Sequence, residues 1–326
     1  VDGVPYALTR GVVVNTGTSA TIPPIEGLDT VEYWTNRDVV EAEALPASIV
    51  VLGGGAIGSE LAHVMARFGV RVTVVEAADR LLALEEPEAG EALREVLEAE
   101  GVTVHVGVRA SRVERDGGGV AVVIGPGRVV TAERLLVATG RRADPAAAGL
   151  TSVGVSDDAR FAPIDEHCRV AEGVWAIGDI TGKGAFTHVS MYQANIVIRD
   201  ILGEDGPPAS YHALPRVTFT DPEVGAVGMT EQQAREALTH VRVGSVPISG
   251  TTRGWIHRGE GLIKVVEDAE SGVLVGATAM GPSGGEVLGA LAVAVHARVP
   301  VDTLRSMIYA YPTFHRGIEA ALASLR

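Results

Sequence analysis

Cysteine occurs once in this chain of 326 residues, at Cys168. A single thiol excludes an internal disulfide, a CxxC redox centre and a cysteine-based zinc site, and it suits a reducing, cytoplasmic compartment. Lysine is almost missing: Lys183 and Lys264 are the only two, so nearly all cationic charge is arginine, a bias of composition rather than of function. Cations as a whole are outnumbered, with 27 Lys and Arg against 41 Asp and Glu and a net charge of −14. An acidic surface repels nucleic acid and anionic membrane, and no basic patch interleaved with aromatics offsets it. Long hydrophobic runs are also lacking; the longest, Val287 to Val295, is well short of the roughly 20 residues a membrane span needs. No secretory signal opens the chain, and its first residue is Val1 rather than methionine, so the natural start is expected to lie elsewhere. What is present is 46% apolar residues and enough length for two or three domains with sizeable cores.

The most informative stretch is Ile49-Val50-Val51-Leu52-Gly53-Gly54-Gly55-Ala56-Ile57-Gly58-Ser59-Glu60, followed by a strand from Val70 that ends in Glu76. Strand, glycine turn, helix start and an acid at the next strand tip form the fingerprint of a dinucleotide site. Gly53 permits the turn, Gly55 lets a pyrophosphate approach the backbone, and Gly58 lets the helix pack closely on the strand. Ala56 and Ile57 open a helix whose unpaired N–H groups and partial positive charge face the phosphates. Glu76 stands where a carboxylate accepts the ribose hydroxyls of an adenosine. A bare glycine turn is weak evidence; the preceding apolar strand, the amphipathic helix Ile57-Leu61-Val64-Met65-Phe68 and the correctly spaced acid make the combination specific.

Around this unit the sequence predicts strand 49–52, helix 57–68, strand 70–75, helix 88–100 and strand 102–106, an alternation that builds a parallel sheet covered by helices. Before it come the strand Val12-Val13-Val14 ending at Thr16-Gly17 and a linker to about residue 45. After it come a hairpin around Asp116-Gly117-Gly118, a strand ending at Thr139-Gly140, and a strand Val174 to Asp179 that ends in an acid. Helix 188–202 follows. From Pro215 five antiparallel strands are expected, at about 216–220, 224–228, 241–248, 261–267 and 272–280, with helices at about 283–298, 301–309 and 313–325.

Taken in order, Thr16-Gly17, Gly53 to Glu60, Thr139-Gly140-Arg141, Ala176-Ile177-Gly178-Asp179 and Phe219-Thr220-Asp221-Pro222-Glu223-Val224 resemble the pyridine nucleotide-disulfide oxidoreductases, the flavoprotein family of dihydrolipoamide dehydrogenase, glutathione reductase and mercuric reductase. The resemblance covers essentially the whole chain. It implies an α/β architecture, a Rossmann-like NAD domain inserted in an incomplete FAD domain and followed by an α+β dimerisation domain. The implied segments are 1–27 for the end of the first FAD segment, 28–143 for the NAD(P)-binding domain, 144–211 for the returning FAD segment and 212–326 for the interface domain. The family's first flavin-binding glycine turn and its CxxxxC pair have no counterpart here, so the sequence is expected to be part of a longer protein, with ~100 residues or somewhat more preceding it.

The resemblance also implies roles. Glu60 matches the acid that contacts the nicotinamide carboxamide, against the plain alternative of a solvent-facing first-turn acid favoured by the helix dipole. Glu76 favours NADH over NADPH, because a carboxylate repels the 2′-phosphate; Arg80 nearby weakens that preference. Gly17, Gly140 and Gly178 lie in the family's cofactor-binding motifs. Asp179 matches the acid that holds the flavin's ribityl and pyrophosphate region, against a buried strand-end aspartate. Thr187 is expected to cap helix 188–202 with His188 in its first turn, beneath the flavin ring, where N–H groups stabilise negative charge. At the end of the chain Tyr311-Pro312-Thr313-Phe314-His315-Arg316 departs from the family's His-Pro-Thr and glutamate: tyrosine stands at the histidine position and arginine at the glutamate. Mercuric reductase is similar in having a tyrosine there, although its terminal vicinal cysteines are missing. Tyr311 is either substrate-facing or an interface aromatic. His167 and Cys168 lack further ligands for a metal, and the other histidines, His63 among them, read as structural or exposed.

The expected function is therefore an FAD-dependent NAD(P)H oxidoreductase, a homodimer passing hydride from nicotinamide to flavin and electrons on to a disulfide, metal-ion or quinone-like small molecule. Two alternatives stand beside it. One is a non-catalytic NAD-binding and dimerisation fragment; the other is a single-cofactor NAD dehydrogenase, which leaves the second glycine turn and Gly178-Asp179 unexplained.

Overall fold

The computed structural model describes residues 7–326, so the first six of the residues 1–27 assigned above to an FAD segment lie outside the described residues. The chain divides into two compact units. One joins the residues through Ser19 to Arg141–Tyr211, and the other joins Ala20–Gly140 to His212–Arg326.

The larger unit contains the glycine fingerprint. Strand Ser48–Leu52 is apolar over four of its five residues and buried along its whole length, as a strand covered on both faces must be. It pairs in parallel with Arg71–Val75 on one side and Arg134–Val137 on the other, and Thr103–His105 completes the sheet beyond Arg71–Val75. The two faces are covered differently. Ile49, Val51, Val72 and Val74 pack with Ala62 and Met65 of helix Ala56–Arg67 and with Leu93 and Leu97 of helix Pro87–Ala99. Val50, Leu52, Leu135 and Val137 pack with Val113, Val122 and Ile124 of a three-stranded antiparallel sheet, Ala110–Asp116, Gly119–Ile124 and Arg128–Ala132. Each large aliphatic side chain buried in this way contributes about 1.5–3 kcal/mol relative to exposure.

The carboxyl-terminal part of the same unit is a five-stranded antiparallel sheet in the order Pro215–Thr218, Glu223–Gly228, Val273–Gly281, Leu262–Asp268, Val241–Pro247. Its core joins Ile263, Val265, Ala277 and Ala279 to Leu288, Leu291 and Val295 of helix Gly284–His296 and to Ile318 and Leu322 of helix Gly317–Ala323. Helix Val301–Arg305 ends earlier than the expected 301–309.

Two salt-bridged anchors fasten the Glu85–Glu88 segment to this sheet. Arg216 holds Glu85 through two hydrogen bonds of 2.9 Å. Lys264, 2% exposed, places its ammonium 2.8 Å from each of Glu86, Glu88 and Glu231. Burial pulls the Lys264 pKa down, but the three carboxylates outweigh it and hold the group above the ordinary lysine value.

In the smaller unit, strand Val12–Val14 pairs in parallel with Val174–Ala176, which also pairs with Arg169–Ala171. Helix Thr187–Leu202 packs Ile196 and Val197 against Trp175, Ile177 and Cys168.

The structure corrects the expected linker to residue 45. Within it Asn36–Val40 is helical, started by a reciprocal cap in which Thr35 and Asp38 bond each other. A similar cap, Thr230 with Gln233, starts an unforeseen helix Glu231–Ala237, and Thr252–His257 is a third short helix that periodicity did not reveal.

Candidate functional site

The glycines of the fingerprint have separate physical reasons. Gly53 has φ +105°, and a Cβ there would lie 2.4 Å from the Ala138 carbonyl oxygen. At Gly58 a Cβ would lie 1.9 Å from the Gly53 carbonyl oxygen, so only hydrogen lets the helix approach the strand. Gly54 is equally constrained: its Cβ would lie 2.4 Å from Leu81 Cδ2. Gly55 is different, because a Cβ there would meet nothing within 4 Å. It is the N-cap of helix Ala56–Arg67 and supplies no side-chain acceptor, so no side chain caps the first turn, in which Ala56 is exposed, Ile57 half-buried and Gly58 buried. That geometry suits an approaching pyrophosphate.

Glu76 follows the strand Arg71–Val75. Its Oε2 accepts from Gly54 N–H at 2.5 Å and its Oε1 from Ala78 N–H at 2.6 Å, which ties the acid to the glycine turn. Arg80 is engaged by Asp79 and the Ala83 carbonyl.

Glu60 sits in the second turn of its helix, and no acid occupies the first turn. The alternative of a solvent-facing first-turn acid thereby falls away. Glu60 is half-buried, and its Oε1 accepts from Phe219 N–H at 2.7 Å. Partial burial raises the Glu60 carboxyl above its ordinary value, with the Phe219 N–H acting in the opposite direction. His63, read from the sequence as structural or exposed, is buried at 3% exposure one turn further on. Asp221 N–H donates to its Nδ1 at 3.4 Å, so Nε2 carries the proton and donates to Glu100 at 2.9 Å. Arg67 then bonds Glu100 at 2.7 and 3.0 Å and the Asp221 carboxylate at 2.8 Å. The Arg67 guanidinium and then the His63 hydrogen bond hold Glu100 below the ordinary carboxylate value. One signal for this was in the sequence: Glu60, His63 and Arg67 share a helix face at i, i+3 and i+7.

Gly140 ends the strand region after Arg134–Val137 with φ +122°, and its carbonyl accepts from Thr21 N–H at 2.9 Å.

In the smaller unit, Gly17 has φ +70° and a Cβ there would meet nothing within 4 Å. Gly178 has φ +75°, which strains any other residue, and a Cβ there would lie 2.5 Å from Asn15 Oδ1, so that side chain would have to move. Its N–H donates to Oε1 of the buried Gln193 at 2.6 Å, and Gln193 in turn donates to Tyr211 at 2.9 Å. Asp179 lies in a single 3₁₀ turn, Gly178–Thr181, rather than at a strand end. Thr18 Oγ1 donates to its Oδ2 at 2.9 Å, and Arg141 Nε donates to the same Thr18 oxygen at 2.6 Å while standing 3.8 Å from the carboxylate. The Asp179 side chain keeps 24% exposure, so it remains accessible to a ligand. Thr187 does not cap its helix: the helix begins at Thr187, Phe186 is the N-cap, and no side chain closes it. Thr187 and His188 are both exposed, and the His188 ring stacks on Phe186 with centroids 5.1 Å apart.

Tyr311 is 64% exposed; its hydroxyl donates to Thr252 Oγ1 at 3.3 Å, and the Arg316 guanidinium lies 5.4 Å from its ring centroid. Cys168 is wholly buried, and burial pushes its thiol up to about 11, which makes it inert rather than nucleophilic. Among the described residues, the one group of three ligand atoms close enough for a metal is Glu86, Glu88 and Glu231, whose centre the Lys264 ammonium already fills. No helix of the described residues is long and apolar enough to cross a membrane.

Comparison with known proteins identifies the family and the fold. The family profile for pyridine nucleotide-disulphide oxidoreductases matches residues 7–194, and the profile for the dimerisation domain of that family matches residues 214–322. Among curated relatives, a mercuric reductase of Streptomyces lividans is 34% identical over 95% of this chain and 66% of its own length. A dihydrolipoyl dehydrogenase of Chlorobaculum tepidum is 33% identical over 97% of this chain and 69% of its own. The chain spans only 50% to 66% of the length of three mercuric reductases it matches. Among solved structures, the HOCl-induced flavoprotein disulfide reductase RclA from Escherichia coli superposes with a TM-score of 0.86 at 27% identity, over 96% of this chain and 73% of that one. LpdA from Mycobacterium tuberculosis does so with a TM-score of 0.85 at 29% identity, over 96% of this chain and 69% of that one. With a parallel nucleotide-type sheet, its glycine turn, a carboxyl-terminal antiparallel sheet and both family profiles in sequence order, the chain belongs to the pyridine nucleotide-disulphide oxidoreductase family.

Proposed function

We propose that this chain acts within an FAD-dependent NAD(P)H oxidoreductase that takes hydride from a reduced nicotinamide and delivers electrons to a disulfide, a mercuric ion or a quinone-like small molecule. The observation that carries the reading is Gly55: nothing in the fold requires a glycine there, the space beside it is open, and no side chain caps the helix Ala56–Arg67 that it starts, an arrangement that suits a pyrophosphate. The flavin, when bound, supplies the two-electron chemistry between nicotinamide and acceptor. Ala56, Ile57 and Gly58 hold phosphate, Glu76 accepts the ribose hydroxyls, and Glu60 uses its second oxygen to orient the carboxamide. In the smaller unit Gly17 leaves room for phosphate, Asp179 accepts a ribityl hydroxyl, and the amino-terminal end of helix Thr187–Leu202, which no side chain caps, stabilises negative charge.

Support for a homodimer comes from the matched dimerisation domain and from large apolar side chains left exposed on it, Trp255 at 75% and Ile308 at 99%. Tyr311, an exposed residue with a cation above its ring, becomes a donor for a polarised acceptor once its hydroxyl leaves the long 3.3 Å bond to Thr252. Cys168 does not supply a thiolate for that step. The test is direct: the purified chain is examined for flavin absorbance and for binding of NADH. Bound flavin that bleaches on adding NADH supports the reading. A colourless chain that still binds NADH supports a nucleotide-binding and dimerisation fragment instead, and a chain that binds neither overturns both.

A further inference from the structure

The segment Phe219–Asp221 connects strands Pro215–Thr218 and Glu223–Gly228 and crosses one face of helix Ala56–Arg67. Three successive side chains on that face grip it. Glu60 receives the Phe219 N–H at 2.7 Å, His63 receives the Asp221 N–H at 3.4 Å, and Arg67 holds the Asp221 carboxylate at 2.8 Å. Glu100, at the end of the neighbouring helix Pro87–Ala99, braces both His63 and Arg67. Thr220, between the gripped residues, is buried and donates to the Pro222 carbonyl at 2.8 Å.

One consequence concerns Glu60. Its Oε1 is pinned by a backbone N–H, and Oε2 has no hydrogen-bond partner among the described residues. A carboxylate held by one oxygen presents the other at a fixed angle, and a ligand amide then binds without first immobilising the side chain. We propose that Arg67, His63 and Asp221 are positioning residues: by clasping the Phe219–Asp221 segment to the nucleotide helix they fix the Glu60 carboxylate for the nicotinamide carboxamide. The proposal rests on the reading of Glu60 given above.

The test separates the two halves of the dinucleotide. Affinities for NADH and for ADP-ribose, which lacks the nicotinamide, are measured by titration calorimetry on the purified chain and on Glu60→Gln, Asp221→Ala, Arg67→Met and Arg67→Lys. Asp221 and Arg67 side chains are 60% and 47% exposed, so these variants are expected to fold, and circular dichroism checks that they do. Asp221→Ala and Arg67→Met should each weaken NADH roughly three- to five-fold, the scale of an exposed ion pair, with ADP-ribose unchanged and with partial rescue in Arg67→Lys. Combining Asp221→Ala with Glu60→Gln should add little to Glu60→Gln alone. If Glu60→Gln changes the NADH to ADP-ribose ratio and Asp221→Ala and Arg67→Met do not, the clasp is wrong and Glu60 stands. If none of the variants changes the ratio, the role of Glu60 falls and takes the clasp with it.

Discussion

Replacing Glu76 by arginine should turn the adenosine end of the site from NADH toward NADPH, and the structure sets the size of the effect. The Glu76 carboxylate is fixed against the glycine turn by Gly54 N–H at 2.5 Å and Ala78 N–H at 2.6 Å, so it cannot swing aside to admit a phosphate. One unit charge facing another at ~4 Å with an effective dielectric of ~20 repels by about 4 kcal/mol. Because Glu76 is only half-buried, screening should leave about 1.4–2.8 kcal/mol of this, ten- to a hundred-fold in the affinity ratio. The substitution has a second cost, the loss of two charge-assisted bonds at about 1.5–3 kcal/mol each before water or a rearranged turn replaces them. Glu76→Gln is therefore the necessary companion. Its amide nitrogen must face one of the two backbone N–H groups, so it should lower the melting temperature while relaxing the preference less than arginine does. The assay is the dissociation constant of each coenzyme for the three proteins. An unchanged NADPH to NADH ratio in Glu76→Arg, with the fold intact, would remove Glu76 from the ribose site.

Three further outcomes follow from the packing. Gly58→Ala should reduce stability by about 1–3 kcal/mol or more, the scale of an overpacked core, because its methyl would lie 1.9 Å from the Gly53 carbonyl; chemical denaturation measures it. Lys264→Met should reduce stability at neutral pH by about 3–5 kcal/mol by leaving Glu86 and its neighbours without a counter-charge. The pH dependence has a definite sign. Lys264, raised above its ordinary 10.5, contributes stability that is complete below that pH and lost above it; Glu231, lowered from 4.5 first by the Lys264 hydrogen bond, contributes stability lost as pH falls below that value. The penalty of Lys264→Met, followed by thermal melts, should thus shrink on acidification toward pH 4 (about the ordinary carboxylate range). Cys168 should resist a thiol reagent in the native chain and react on unfolding, since it is both enclosed and held largely protonated; rapid labelling under native conditions would contradict the packing around it.

Much of the larger unit was legible because its signals are local. The run Ile49 to Leu52 can only be a strand buried on both faces, and the glycine turn plus Glu76 is a short-range pattern in which each residue acts within some 25 positions of the next. The site's supporting contacts were not legible. His63 meets Asp221 across 158 residues, Lys264 meets Glu86 across 178, and Thr18 meets Asp179 across 161; no periodicity carries such information. A threonine before an apolar run is a strong cap signal, but here Phe186 precedes the helix, Thr187 is its first residue and no side chain caps it. Some clues were available and unused. Thr35-x-x-Asp38 and Thr230-x-x-Gln233 are recognisable starts for helices too short to show amphipathic repetition. The near absence of lysine also made Lys264 conspicuous, and its three carboxylate partners show a fixed ionic anchor rather than a compositional accident.

Among the four glycines at the turn, Gly53, Gly54 and Gly58 are each hemmed in by a neighbour, and Gly55 alone looks outward. Folding and the proposed recognition thus place their demands on different atoms of the same tight bend. A methyl group at residue 55 would meet no neighbour within 4 Å and so would cost the native state little. Of the four, residue 55 is therefore the position at which a substitution can probe the proposed pyrophosphate site while sparing the packing that the other three maintain.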